Sequence, residues 1–166
     1  MRTSRNLNPP PESTGAVMRF AGKAEGVYVH AMNDLPIMSE ICASVVRLLS
    51  RRDDIAAVYV LGSAACGRLR QDSDIDIALM PMREGMFPLQ ERLALAAELG
   101  VALGRDVDLG IIDAGNLIYA HEAILRGRCA WSRDEGHVAA MEMRLLGGYL
   151  QLRQDRREVE DAYHAA

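Results

Sequence analysis

The spacing of apolar residues predicts where helices lie along this chain. From residue 36 onward, apolar positions recur every three or four residues, which predicts a first helix that ends near residue 52. The apolar residues on its inner face are Ile37, Ile41, Val45, Leu48 and Leu49. Further helical patterns cover residues 88–104 and 116–127. A last helix runs from Glu135 to about Tyr163, and Gly147 and Gly148 are expected to weaken it locally.

Short apolar runs, bounded by glycine, proline or polar residues, predict four strands. They cover residues 55–61, 74–80, 106–112 and 128–132, and the last of them has the character of an edge strand. The resulting order of elements is α-β-β-α-β-α-β-α, without an internal repeat. This order predicts an α/β fold of the α+β kind, with a small mixed β-sheet flanked by helices.

Residues 1–31 carry no such pattern. They contain the three consecutive prolines Pro9 to Pro11 and no sustained periodicity, which predicts a flexible N-terminal extension. Met18, Met32 and Met38 each leave a later natural start open. We therefore expect one folded domain over residues 32–166, a length that suits a single core.

The composition indicates a globular protein and argues against several other classes of protein. Apolar residues make up 49% of the 166 residues and charged residues 25%, as in ordinary globular domains, and the formal net charge of -4 argues against a general binder of nucleic-acid backbones. Cys42, Cys66 and Cys129 form no C-x-x-C pair, so neither a disulfide framework nor a zinc site is indicated. No apolar run approaches the length of a membrane span, so we expect a cytoplasmic protein without a membrane partner.

Two aspartates interrupt the second strand. Side chains at i and i+2 of a strand share a face, so Asp74 and Asp76 are expected to present their carboxylates together, roughly 6 to 7 Å apart. Two like charges at that spacing are costly to desolvate unless a cation lies beside them. Magnesium fits, because it takes a few carboxylate oxygens, keeps several waters and accepts substrate phosphate at its remaining positions.

The Gly62–Ser63 segment between the first two strands supplies the complementary half of such a site. Glycine lets the backbone approach a ligand closely, and free N–H groups together with the Ser63 hydroxyl can hold phosphate oxygens. A third carboxylate is needed to complete the metal site and to take a proton from an attacking hydroxyl. Asp108 in the third strand is the candidate. Asp106 points the same way but stands at the start of that strand, so we favour Asp108.

These residues carry a resemblance. The segment GSAACGRLRQDSDIDIALM resembles the G-S-x10-D-x-D signature of the polymerase-β-like nucleotidyltransferases, with Gly62, Ser63, Asp74 and Asp76 at the matching positions and Asp108 on the strand that looks like the family's third-aspartate strand. From about Met32 onward, the chain is similar to the minimal nucleotidyltransferases. These are the antitoxin halves of bacterial toxin–antitoxin modules whose toxins are HEPN-domain ribonucleases.

The resemblance implies a nucleotidyltransferase fold and a reaction. A nucleoside monophosphate, AMP from ATP, would pass to a hydroxyl with the help of two Mg²⁺ ions held by Asp74, Asp76 and Asp108. The acceptor implied for this branch is a tyrosine of the HEPN toxin, which becomes adenylylated and inactive. One position departs from the family pattern, since Cys66 stands where an arginine is common. Arg68 or Arg70 is the expected substitute at the phosphates.

Two other functions remain open from the sequence. A non-catalytic antitoxin would neutralise its partner by binding alone, and Cys66 is the feature that favours it. A nucleotidyltransferase with a small acceptor, such as an aminoglycoside, would use the same chemistry. We rank it lower, because the chain has no obvious second domain to bind such an acceptor. His121 is expected to be a surface or boundary histidine outside the site.

Overall fold

The computed structural model describes residues 36–70, 72–85 and 87–164. The predicted extension over residues 1–31 lies outside these ranges, so the domain boundary at residue 32 stays a prediction. Among the residues that the structure describes, no helix combines the length and the apolar character needed to cross a membrane.

The described chain contains four strands and five α-helices, which follow the predicted order with one addition. The strands are β1 (Ile55–Val60), β2 (Ile75–Pro81), β3 (Val107–Ile111) and β4 (Arg128–Ser132). The helices are α1 (Pro36–Leu49), α2 (Gly62–Ala65), α3 (Leu89–Leu103), α4 (Leu117–Arg126) and α5 (Glu135–His164). The addition is α2, since the segment expected as a Gly-Ser turn is a four-residue helix. A 3-10 turn, Ala114–Asn116, precedes α4.

The four strands form one mixed sheet in the order β3-β2-β1-β4. Strand β1 pairs antiparallel with both β2 and β4, while β2 and β3 run parallel. The parallel pair requires a crossover, and α3 supplies it. Strand β4 lies at one edge, as expected, and β3 lies at the other.

Helices cover both faces of the sheet. On one face, α1 and α3 pack on alternate residues of β2 and on Leu109 of β3, through a core that includes Ile41, Val45, Leu49, Ile75, Ile77, Leu79, Leu95 and Leu99. On the other face, α4 and α5 pack on the remaining alternation through Ala56, Ala78, Met80, Ala120, Ala123, Val138, Met141 and Leu145. Strand β1 is buried at all six positions, because both of its faces are covered.

The turn after α1 is held by an ion-pair cluster. The Arg52 guanidinium contacts the carboxylates of Asp54 and Glu91, with its Nε 3.0 Å from Asp54 Oδ1. Arg133, which follows β4, donates to the carbonyls of Ser50 and Ile55 at 3.1 and 3.2 Å. These bonds tie α1, β1, α3 and β4 together at the end of the sheet where β1 begins.

Helix α5 is continuous across Gly147 and Gly148, so these residues do not interrupt it, and the local weakening expected there stays a prediction. A Cβ built on Gly148 would lie 3.3 Å from a methyl carbon of Leu117 in α4. The small residue therefore allows close approach of the two helices, and that packing offsets the low helix propensity of glycine.

Candidate active site

The parallel pairing of β2 and β3 brings two of the predicted aspartates together. Asp76 and Asp108 are partners in the register, so their side chains leave the sheet on the same face from neighbouring strands about 4.8 Å apart. This is the face covered by α4 and α5, since the residues that alternate with the aspartates, among them Ile75, Ile77 and Leu109, pack on the other side. The Asp76–Asp108 pair therefore lies on the α4–α5 face of the sheet.

Asp74 joins this pair from just outside the strand. It was expected within the second strand, but β2 begins at Ile75, and Asp74 is exposed immediately before it. Burial, followed by the charges of Asp108 and Asp74, raises the pKa of Asp76 above its usual value. The three carboxylates thus interact electrostatically, and none of the described arginines opposes the shift at Asp76.

Asp106 has a different position from Asp108. It precedes β3, and its carbonyl accepts the backbone N–H of Ile75 at 2.9 Å. Its carboxylate is not among the groups that raise the pKa of Asp76, whereas that of Asp108 is. Asp108, unlike Asp106, is therefore the register partner of Asp76, and its role as the third carboxylate of the site stays a prediction.

Gly62 lies directly against Asp76. The backbone N–H of Leu61 donates to the carbonyl of Asp76 at 2.9 Å, which fixes the end of β1 beside β2. Gly62 adopts a φ of +58°, and a Cβ built on it would lie 2.2 Å from Asp76 Oδ2. Glycine is required here for both reasons, since a side chain would need a strained backbone and would displace the carboxylate.

Ser63 stands in the first turn of α2. The first i→i−4 bond of this helix runs from the N–H of Ala65 to the carbonyl of Leu61, so the N–H groups of Gly62, Ser63 and Ala64 precede it. Ser63 is half-buried, and its carbonyl accepts the N–H of Arg68 at 2.8 Å. Because Leu61 is bonded to Asp76, these N–H groups lie next to the strand that carries Asp76.

The arginines expected at the phosphates are not in contact with the carboxylates. Arg68 and Arg70 are exposed in the loop after α2, and neither guanidinium makes a hydrogen bond or an ion pair within the described ranges. Arg105 donates to the carbonyl of Arg70 at 2.8 Å and so ties this loop to the start of β3. Cys66 is exposed at the end of α2. The roles predicted for Arg68 and Arg70 stay predictions.

Three residues beside Asp108 were not singled out from the sequence. The hydroxyl of Tyr119, from α4, rests on Gly110 so closely that a Cβ there would lie 1.9 Å from it. Burial, with the charges of Asp108 and Asp76, raises the pKa of Tyr119 to about 12. Arg92, from α3, donates to the carbonyl of Leu109 at 3.0 Å. Gly110 inside an apolar strand was the available signal, because a strand glycine often marks a close approach.

These residues line a cleft of about 360 Å³ at the outer side of β3. Its walls are Gly85, Phe87, Arg92, Asp108, Leu109, Gly110, Ile111, Asp113, Asn116 and Tyr119. A larger, open depression of about 750 Å³ lies between α3 and the starts of β2 and β3, and its acidic residues are Asp72, Asp74 and Asp106. The depression reaches neither Asp76 nor Asp108, whereas the smaller cleft reaches Asp108.

His121 lies outside the carboxylate group, as expected. Its ring stacks on that of Tyr149 from α5, with 3.8 Å between centroids and 24° between planes. Nδ1 is 3.7 Å from a carboxylate oxygen of Glu122. The histidine thus belongs to the contact between α4 and α5.

The donor chemistry of the site fits magnesium. Within the described ranges, no three His, Cys, Asp or Glu side chains are gathered as a complete set of metal ligands. Magnesium does not need such a set, since it binds through one or two carboxylates together with water and substrate phosphate. Burial, followed by the charges of Asp108 and Asp74, disfavours the ionised form of Asp76 and raises its pKa, and a bound divalent cation would offset both effects.

The sequence profile of the family described as Polymerase beta, Nucleotidyltransferase matches residues 44–136, more than half of the chain. The chain belongs to this nucleotidyltransferase family. The matched segment runs from α1 to the start of α5 and contains the Gly62–Ser63 segment and all three carboxylates of the site.

Individual relatives agree with the family assignment. The nucleotidyltransferase chain is 26% identical over 120 residues to the protein adenylyltransferase MntA of Shewanella oneidensis, over 70% of this chain and 83% of MntA. A toxin–antitoxin crystal structure with AMP-PNP superposes with a TM-score of 0.63 at 22% identity, over 74% of this chain and 98% of that one. The structure of a tri-AMPylated Shewanella oneidensis HEPN toxin in complex with MNT antitoxin gives 0.60 at 20% identity, over 76% and 98%. The structural likenesses show that the fold is shared.

Proposed function

We propose that this protein is a magnesium-dependent adenylyltransferase that transfers AMP from ATP to a tyrosine hydroxyl of a cognate HEPN toxin and thereby acts as its antitoxin. The observation that carries the proposal is the register pair of Asp76 and Asp108, with Gly62 packed against Asp76, in a chain of the nucleotidyltransferase family. The adenylyltransferase activity of MntA and the toxin–antitoxin complexes of similar fold support the acceptor class.

The reaction replaces one phosphorus–oxygen bond by another. The acceptor oxygen forms a bond to the α-phosphorus of ATP, and the bond from that phosphorus to the bridging oxygen breaks as pyrophosphate leaves. Asp108 stands beside Asp76 on the neighbouring strand, where it can accept the proton of the acceptor hydroxyl. The N–H groups at the start of α2, which precede its first i→i−4 bond, and the Ser63 hydroxyl would hold phosphate oxygens. Arg68 or Arg70 would assist there in place of the arginine that Cys66 replaces.

Magnesium, two ions in our proposal, would be held by Asp74, Asp76 and Asp108 and would supply neutralisation of phosphate charge and polarisation of the phosphoryl group. Gly62 keeps the Asp76 carboxylate in its orientation. The cytoplasmic location expected from the sequence is part of the proposal, since all three cysteines are free.

The test is transfer from labelled ATP, with magnesium, to the purified product of the neighbouring gene, which the proposal requires to be a HEPN-domain protein. The wild-type protein should label its neighbour, and Asp76→Asn or Asp108→Asn should reduce the rate at least about a hundredfold. Asp106→Asn is the matched control for Asp108→Asn, because Asp106 is a similarly exposed aspartate two residues away that lies outside the carboxylate group. Absence of labelling by the wild-type protein with bound partner would refute the proposal.

Neutralisation of toxicity in cells separates the proposal from the binding-only antitoxin. A protein that works by masking should still protect after Asp74→Asn and Asp76→Asn, whereas an enzyme should not. Transfer to an aminoglycoside by the isolated protein, without transfer to the toxin, would instead favour the small-molecule acceptor.

A further inference from the structure

The cleft beside Asp108 lies at one end of the row of site residues that crosses the sheet. Strand β3 is the outermost strand on this side of the sheet, and the cleft lies along its outer side. Going across the sheet from β1 to β3, the sequence of features is Gly62 and Ser63, then Asp76, then Asp108, then the cleft. The cleft and the Gly62–Ser63 segment therefore flank the paired carboxylates on opposite sides.

This arrangement sets the direction of approach of the acceptor, and the step rests on the function proposed above. In phosphoryl and nucleotidyl transfer, the attacking and the leaving oxygens lie roughly in line on opposite sides of the phosphorus. If pyrophosphate is held at Gly62 and Ser63, the attacking hydroxyl comes from the side of β3. The cleft is the opening on that side, and Asp108 is part of its wall.

Some polar side chains of the cleft already make hydrogen bonds within the protein, and others have donors without a partner in the described part of the chain. Asp113 accepts the N–H of Gly115 at 2.9 Å, and Asn116 accepts that of Tyr119 at 3.0 Å, so both side chains cap the turn before α4. Arg92 donates one hydrogen bond to the carbonyl of Leu109. Its Nε is buried without a hydrogen-bond partner in the described part of the chain.

Arg92 also has no ion-pair partner among the described residues, although it is only half-exposed in the cleft wall. A partly buried guanidinium with unused donors is costly unless a negative group meets it, and arginine suits carboxylates and phosphates in particular. Tyr119 and Phe87 add aromatic surface to the same cleft.

We propose that the cleft lined by Arg92, Asp108 and Tyr119 receives the acceptor hydroxyl on the side of Asp108, and that Arg92 selects the acceptor by binding an anionic group next to that hydroxyl. The anion has two sources with the same chemistry. It is either an acidic side chain beside the acceptor tyrosine or the phosphodiester of an AMP that the acceptor already carries. Multiple AMP groups are already seen on the tri-AMPylated Shewanella oneidensis HEPN toxin. For this chain, the second source means that Arg92 binds the phosphodiester of such an acceptor while one of its ribose hydroxyls attacks.

The experiment compares three synthetic acceptor peptides under saturating ATP and magnesium. One has glutamates on both sides of a tyrosine, one has glutamines at those positions, and one is the glutamine peptide with its tyrosine already adenylylated. Wild-type protein should show a KM for the favoured anionic peptide about tenfold below that for the neutral peptide. Preference for the glutamate peptide identifies an acidic neighbour, and preference for the adenylylated peptide identifies the phosphodiester.

Variants of Arg92 test the residue itself. Arg92→Gln should abolish the preference and leave the KM for ATP unchanged, while Arg92→Lys should retain part of it, which guards against loss of fold as the cause. Arg47→Gln is the matched control, because Arg47 is an exposed arginine of α1 that does not line the cleft. Thermal unfolding of each variant shows whether losing the bond to Leu109 changes stability.

Failure of this inference can be separated from failure of the proposed function. A wild-type protein that labels the toxin but accepts no peptide, or shows no anionic preference, overturns the acceptor site alone. A preference that survives in Arg92→Gln does the same. A wild-type protein that transfers AMP to neither toxin nor peptide overturns the proposed function.

Discussion

The contact between Gly62 and Asp76 allows a sharp test of the site. Gly62→Ala adds one methyl group at a φ of +58°, where an L-residue costs about 1 to 2 kcal/mol relative to glycine. The added carbon would lie 2.2 Å from Asp76 Oδ2 and 3.3 Å from its Cγ, both well inside van der Waals contact. Because the methyl group is fixed to the backbone, the Asp76 carboxylate must turn until Oδ2 has moved by more than about 1 Å to relieve the contact.

The two consequences differ in size. Stability should fall only by the backbone term, about 1 to 2 kcal/mol, since the displaced carboxylate can turn toward the open end of the site. AMP transfer should fall about a hundredfold or more, because misplacing a reacting group by about 1 Å costs that much. Initial rates with labelled ATP and midpoints of urea unfolding measure the two effects separately.

Gly104→Ala is the matched control. Gly104 follows α3 with a φ of +64°, and nothing lies within 4 Å of a Cβ built there. It therefore carries the same backbone penalty without the contact to a carboxylate. If Gly62→Ala and Gly104→Ala retain similar transfer rates, the idea that Gly62 holds the orientation of Asp76 is wrong.

Two further predictions concern the surroundings of the site. The Arg52 guanidinium lowers the pKa of Asp54, so the pair's stabilisation is full above the unfolded value of about 4 and is lost as pH falls through the folded value. Asp54→Asn should thus cost about 1 kcal/mol of unfolding free energy at neutral pH and progressively less as the pH falls through the folded pKa of Asp54. An equal cost in urea titrations at neutral and at acidic pH would contradict this. Cys66 is exposed, whereas burial raises the pKa of Cys129 to about 12 and also that of Cys42. One of the three thiols should therefore react fast with a disulfide reagent, and Cys66→Ser should remove that fast phase. ATP should slow the reaction of Cys66. Fast reaction of two thiols would contradict the burial of Cys42 and Cys129.

The order of elements could be predicted from the sequence, because residues that end or cap helices and strands stand at clear positions along the chain. Gly104 ends α3 in the left-handed conformation, and Asn116 caps α4 through its side chain, as such residues do in general. Boundaries at the aspartates were less accurate. Asp74 and Asp106 were placed in strands, but each precedes its strand, because neither strand extends that far in the parallel pairing of β2 with β3.

The contacts that complete the site come from residues distant in sequence, and local patterns do not contain them. Tyr119 reaches Gly110 only because α4 folds back over β3, and Arg92 reaches the carbonyl of Leu109 only because β3 is an edge strand. Periodicity assigns each of these residues to a helix without specifying which strand that helix crosses. The same limit applies to α2, where four residues are too few to show a helical period.

The position of the carboxylates nevertheless follows from the core. Side chains alternate along a strand, so burying Ile75, Ile77 and Leu79 under α1 and α3 forces Asp76 to the opposite face. Leu109 does the same for Asp108. A slip of either strand by one residue would put a carboxylate into that apolar core and expose the residues that form it, which is far more costly than the repulsion between two aspartates at a partly open site. The apolar packing therefore sets the register of β2 and β3, and that register places the acidic pair on the side where ATP, magnesium and an acceptor could reach it.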